Sequence, residues 1–238
     1  MKSLRNVIIW TLGSILVLVV VMTGGFFLLS ILTEYQPDPI ETVEVAGAPT
    51  VKVDSTTIFS IITWNIGYGG LGKEMDFFYD GGKRVRPGKS YFDQSVSGIG
   101  NFLREHDSVD FILLQEVDRN SKRSYYMDEG DWLKTTLPGF SISYATNYDC
   151  WFVPVPVTDP MGRVKSGIAS CSRFFPDEVK RYGFDKHVPW PGRLFYMKRC
   201  FMASRYSLPD GNQLILVNIH NSAYDTGGML RKREMEMI

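Results

Sequence analysis

Residues Val7 to Leu32 form a run of 26 without a charged side chain. A helix rises about 1.5 Å per residue, so the run can cross a hydrocarbon core of roughly 30 Å with some tilt. Inside lipid there is no water for backbone N–H and C=O groups, which confines such a run to a helix. A cleaved secretory signal would have an apolar stretch of about 7–15 residues with a small-residue cleavage site directly behind it. The one such site, Ala46-Gly47-Ala48, lies beyond an acidic, proline-containing stretch and is followed by Pro49. Residues 7–33 are therefore expected to remain as a single-pass signal anchor. Lys2 and Arg5 precede the run and Glu34, Asp38, Glu41 and Glu44 follow it. That asymmetry places residues 1–6 in the cytoplasm and the main domain outside the cell membrane.

Residues 34–55, with Pro37, Pro39, Pro49 and several acids, hold little apolar material and are expected to act as an extracytoplasmic tether. Residues 56–238 are long enough for one domain with a sizeable core. Setting Lys2 and Arg5 aside leaves 24 basic against 26 acidic side chains, which is no electrostatic footprint for nonspecific nucleic-acid binding. Cys150, Cys171 and Cys200 make an odd count in a compartment that permits disulfides. They are expected as small buried hydrophobes, and spacing favours no pair. No Cys-x-x-Cys is present, which argues against a structural zinc.

Ile58 to Trp64 and Val109 to Leu114 are short and rich in β-branched and aromatic residues, and read as buried strands. Between them Val96, Ile99, Phe102 and Leu103 recur at helical spacing, so the segment reads as strand, amphipathic helix, strand. Ser141 to Tyr144, Gly167 to Cys171, Leu194 to Tyr206 and Leu214 to His220 read as further strands, the last two joined by the turn Pro209-Asp210-Gly211-Asn212. Met229 to Ile238 reads as the start of an amphipathic helix. The expected class is α/β (α+β), with two packed sheets and helices outside.

Three strands close on chemistry-bearing strings: Thr63-Trp64-Asn65, Leu113-Leu114-Gln115-Glu116 and Asn218-Ile219-His220. An acid at the end of an apolar strand is costly to bury unless it pairs or binds metal, and Gln115 adds an amide that can fix its orientation. The three strings, in this order, resemble those of the endonuclease/exonuclease/phosphatase superfamily, the deoxyribonuclease I-like metal-dependent phosphoesterases, from about Ile58 onward. The resemblance implies a four-layer α/β/β/α sandwich. It implies Glu116 as the principal magnesium (or manganese) ligand with Asn65 beside it, and His220 and Asn65 as catalytic contacts to a phosphoryl oxygen. Asn218 is the string's third candidate, for substrate binding. Family members continue to a Gly-Asp-x-Asn string and a Ser-Asp-His string, which these 238 residues lack. The domain is accordingly expected to be the N-terminal two-thirds of such a fold, with an incomplete and poorly active site.

Other candidates are weaker. Arg163, Lys165 and Arg199 are expected phosphate contacts, and Lys165 to Arg173 resembles the family's Gly-x-Ala-x-x-Ser-Arg strand. Asn221 and Tyr224-Asp225 are expected to line the cleft, while His106 and His187 are read as surface residues. Gly67 to Lys73 satisfies two glycine-rich nucleotide motifs, yet Glu74 stands where a magnesium-holding Ser or Thr is needed, and Gly81, Gly82 and Pro87 break any helix. It is expected instead as a substrate loop carrying Lys73, Lys83, Arg84 and Arg86. The combined expectation is a membrane-anchored magnesium-dependent hydrolase acting on a phosphate mono- or diester, with lipid head groups or sugar phosphates favoured over nucleic acid. The rival is a non-catalytic protein binding phosphate or a lipid head group. The orientation is tested by adding protease to intact cells: digestion that leaves only a short protected N-terminal piece is expected, and full protection beyond Tyr35 refutes it.

Overall fold

A computed structural model describes residues 2–49, 51, 53–54, 58–184, 188–222 and 225–238. It divides into two units, residues 1–34 and 35–238. The first is one helix, α1 (Lys2–Leu32), whose most apolar 18-residue window within Ser3–Leu32 has a mean hydropathy of 2.8. It is long and apolar enough to cross a membrane, and its apolar side chains are exposed apart from Phe26 and Phe27, which are half-buried.

The second unit contains two sheets. Segments β1 (Ile40–Thr42) and β2 (Val45–Ala46) come first, then β3 (Ile61–Asn65), helix α2 (Lys89–Glu105) and β4 (Phe111–Asp118). Helix α3 (Glu129–Thr136) follows, then strands β5 (Ser141–Val153), β6 (Gly162–Ser172), β7 (Glu178–Gly183), β8 (Cys200–Ser207) and β9 (Gln213–Ile219), and helix α4 (Met229–Met235). The five-stranded sheet has the order β2-β5-β6-β4-β3 and the four-stranded sheet β1-β7-β8-β9. β3 and β4 are parallel, joined through α2, with Asn65 opposite Gln115. The other pairs are antiparallel.

Alternation along β4 divides the core. Ile112 and Leu114 face the helices with Ile99, Leu103, Leu133 and Leu137. Phe111 and Leu113 face the other way, with Tyr206 of β8 and Leu216 of β9. Ala145, Ile168, Val179 and Met202 continue the apolar filling. At some 25 cal/mol per Å² of apolar area removed from water, such side chains contribute about 1.5–3 kcal/mol each.

The segment expected as a tether is partly strand. Ile40 to Thr42 extends one sheet against β7 and Val45-Ala46 extends the other against β5, while Val43 and Val45 pack on the core. Arg181, nearly fully buried, fastens it by donating to the carbonyl of Asp38 at 3.3 Å and facing Glu41 at 3.6 Å. Two short pieces on either side of Val43 borrow sheet edges that a composition argument does not see. The expected strand over 194–206 begins only at Cys200, because Gly192–Phe195 is a 3-10 turn. All three cysteines are free and buried.

Asn218 of β9 locks the two sheets together. Its Oδ1 accepts from Gln115 Nε2 at 2.8 Å, and its Nδ2 donates to the carbonyl of Ala169 at 2.9 Å and of Leu114 at 3.3 Å. Asn218→Ala removes these buried bonds and leaves Gln115 Nε2 only its longer contacts to the Leu113 carbonyl and Thr63 Oγ1. It is expected to cost on the order of 3 kcal/mol, measured by urea unfolding of the full chain in detergent micelles.

Candidate active site

β4 departs from regular alternation at its last turn. Gln115 pairs with Ile168 and Val117 with Gly167, so Glu116 is an extra residue in the ladder, and it adopts φ 56°. Such a bulge bends its strand and re-aims one side chain. Strict alternation would put residue 116 under the helices beside Ile112 and Leu114. Val117 takes that place instead, and the Glu116 carboxylate turns toward the end of β3.

There Asn65 Nδ2 donates to Glu116 Oε1 at 3.0 Å, while Asn65 Oδ1 accepts from the amide of Gly67 at 3.0 Å. The turn that follows β3 is tight. Gly69 has φ +63°, and a Cβ there would come within 2.7 Å of the Val96 side chain on α2. From the other sheet, just beyond β9, His220 Nε2 lies 3.6 Å from Glu116 Oε1. Burial, helped by the nearby Arg199 and Arg123 guanidiniums, pushes His220 down to about 3, so at neutral pH the imidazole is an uncharged donor and acceptor. Arg199 fastens the chain behind it, with Nη1 donating to the carbonyl of His220 at 3.1 Å and of Asn221 at 2.9 Å.

The structure therefore brings Asn65, Glu116 and His220 together from three strand ends. It places the remaining candidates elsewhere or in other employment. Asn218, only 1% exposed, sits in the seam between the sheets with its amide committed to protein atoms. Arg163 pairs with Asp149, and Lys165 Nζ lies 3.7 Å from the same carboxylate. Gln115 does not orient its neighbour, because its amide N–H groups are taken by Asn218 Oδ1 at 2.8 Å and the carbonyl of Leu113 at 3.3 Å; that role falls to Asn65. Gly67–Gly69 is a 3-10 turn, and the next α-helix starts only at Lys89. His106 stacks on Phe102, and Asp225 caps the amide of Arg231 at 2.9 Å. His187 and Tyr224 lie outside the described residues.

The sequence reading passed over a buried ion pair at the same strand end. Asp118 accepts two bonds from Arg123, at 2.9 and 2.8 Å, and the guanidinium lies 3.9 Å from the Tyr68 ring centre. Glu129 Oε2 accepts from the Asp118 amide at 2.7 Å. Burial, and then the Asp118 carboxylate beside it, raise Glu129 well above the usual carboxylate range. The short spacing of Asp118, Arg123 and Glu129 was the available signal.

No family model matches the sequence, and no curated protein does. Solved structures do resemble it. ANGEL2, described as a 2',3'-cyclic phosphatase, matches with a TM-score of 0.50 at 16% identity, covering 84% of this chain and 50% of its own. An endonuclease/exonuclease/phosphatase family protein from Leptotrichia buccalis C-1013-b matches with a TM-score of 0.48 at 13% identity, over 76% of this chain and 61% of its own. A second such protein, from Beutenbergia cavernae DSM 12333, gives 0.45 at 16%, over 75% and 42%. The chain shares its fold with ANGEL2. It spans roughly two-fifths to three-fifths of the length of these three structures. Within that fold, the converging residues belong to the ends of β3, β4 and β9.

Histidine titration gives this arrangement a measurable signature. An unfolded imidazole takes up its proton near pH 6.5, whereas folded His220 resists protonation until about 3. The unfolded state therefore binds more protons across that window, and stability contributed above pH 6.5 is lost as pH falls. In EDTA, His220→Gln is expected to flatten the acid side of the stability–pH curve, read as melting temperature between pH 7 and 4. An unchanged curve refutes the neutral, buried imidazole.

Proposed function

We propose that the chain is a membrane-anchored, divalent-cation-dependent phosphoesterase, with α1 as its anchor and the ends of β3, β4 and β9 as its reaction centre. One observation carries the reading. A carboxylate, an amide and an uncharged imidazole from three strands far apart in sequence meet with Glu116 Oε1 at 3.0 Å from Asn65 and 3.6 Å from His220.

The donor set fits a magnesium-type ion. Glu116 offers a hard carboxylate whose closest imidazole is neutral, and Asn65 an amide oxygen with one lone pair still open. Magnesium typically takes one or two carboxylates and leaves the rest of its shell to water and substrate phosphate. Among the described residues no group of three or more His, Cys, Asp and Glu gathers here or elsewhere, so beyond Glu116 and Asn65 the shell would be water and substrate. Glu116, with Asn65, would hold the ion, which when bound would neutralise charge on a phosphoryl oxygen and acidify water. Asn65 keeps the carboxylate in one orientation through Nδ2, with its own amide held by Gly67. The uncharged imidazole of His220 can donate one N–H to a phosphoryl oxygen as charge builds there, at no cost of removing a cation from water. Arg199 keeps that imidazole in register by gripping two successive carbonyls. The substrate class is a phosphate mono- or diester, with lipid head groups and sugar phosphates ahead of nucleic acid because the charge balance is even.

A non-catalytic phosphate-binding role is the second reading. His220 is the imidazole found beside a carboxylate among the described residues, and the first reading assigns it to substrate. Two assays on the full chain in detergent micelles separate the readings. Magnesium or manganese is expected to raise the melting temperature by mass action, and Glu116→Gln to abolish the rise. Hydrolysis of bis(p-nitrophenyl) phosphate that is lost in EDTA, and falls about 10²-fold or more in His220→Ala, supports the enzyme. A metal-dependent thermal shift without turnover supports the binding protein, and no metal response from the wild type refutes the cation site.

A further inference from the structure

Glu116 does not by itself explain the bulge that carries it. A non-glycine residue at φ 56° persists only where its surroundings over-determine it, and here two sets of contacts do so. The carbonyl of Val117, immediately after the bulge, accepts from the Tyr144 hydroxyl at 3.2 Å and Ser166 Oγ at 3.5 Å. The amide of Asp118 comes next and donates to Glu129 Oε2 at 2.7 Å. Glu129 opens α3, where an acid is ordinary, yet it is only 1% exposed and its carboxylate points into the protein. Arg123 grips the Asp118 carboxylate with two bonds and lies over the Tyr68 ring. Tyr68 is three residues beyond Asn65 and has φ 45° itself. A buried polar chain thus runs from α3 through the end of β4 to the turn after β3. It links the two strand ends that supply Glu116 and Asn65.

We infer that Glu129, Arg123 and Tyr68 are positioning residues. By fixing the backbone of Asp118 and the turn after Asn65, they hold the Glu116 carboxylate on the cleft face and so set the affinity of the site for a divalent cation. The inference rests on the cation reading for its ligand and on backbone geometry for its structural half.

The test uses the full chain in detergent micelles and manganese as the probe. Partners that orient a ligating side chain are typically worth 10–100-fold in metal affinity. Glu129→Leu is expected to weaken manganese binding by that factor, read from the concentration dependence of the melting temperature. Glu129→Gln, which keeps an acceptor for the Asp118 amide, is expected to restore it. Leu133→Ala, a core truncation on the same helix, controls for general destabilisation and is expected to lower the melting temperature without changing the affinity. Amide hydrogen exchange at residues 115–117 is expected to quicken in Glu129→Leu and not in Leu133→Ala. Wild-type manganese affinity and exchange in Glu129→Leu overturn the inference. If the wild type shows no manganese response, the cation reading fails and exchange decides alone: unchanged protection overturns positioning, and a local loss upholds it. Should Glu129→Leu not fold, Tyr144→Phe removes the Val117 contact and carries the same expectations.

Discussion

One inserted residue in β4 decides which side of its sheet receives the Glu116 carboxylate. In a regular strand the side chain at 116 would join Ile112 and Leu114 beneath α2 and α3, where an ionised carboxylate has no partner and a desolvation cost of several kcal/mol. The bulge exchanges that cost for a left-handed residue, at about 1–2 kcal/mol. Val117 then completes the helix-facing core while Glu116 emerges beside Asn65. The same strand thus serves the core and the cleft, and the switch between them occupies one peptide unit.

The second constraint is that two sheets must agree on where their strands stop. Glu116 and Asn65 belong to one sheet and His220 follows the last strand of the other. The Gln115–Asn218 amide pair, buried between them, fixes their relative slide to within a hydrogen bond. Apolar contacts alone tolerate small shifts. A saturated polar clasp in a dry seam does not, because any slip leaves a buried donor or acceptor unpaired. His220 is thereby delivered to Glu116 by a residue two positions upstream that never meets solvent.

Periodicity and composition were enough to read α1, β3, β4, α2 and the hairpin between β8 and β9, since each is a run whose pattern is its own explanation. The convergence of Asn65, Glu116 and His220 was legible too, through strings at the ends of three apolar strands. What stayed hidden depends on partners far away in sequence. Ile40–Thr42 and Val45-Ala46 are strands only because β7 and β5 offer free edges. Asn218 looks like a cleft residue until the second sheet covers it. Gln115 was read as the neighbour that orients Glu116, and the second sheet claims its amide through Asn218. Glu129 reads as an ordinary first-turn acid, and its inward turn follows from the contact of α3 with the end of β4.

The two short strands at 40–46 also bear on how these sheets meet other molecules. A long bare edge is a template on which foreign backbone can add and propagate. β1 and β2 occupy one flank of each sheet with three and two residues, too short to seed growth. The opposite flanks, β3 and β9, are full-length apolar strands with Ile61 and Ile215 half exposed. Among the described residues, backbone added to either sheet would therefore meet a short strand on one flank and β3 or β9 on the other, the flank that also carries Asn65 and His220.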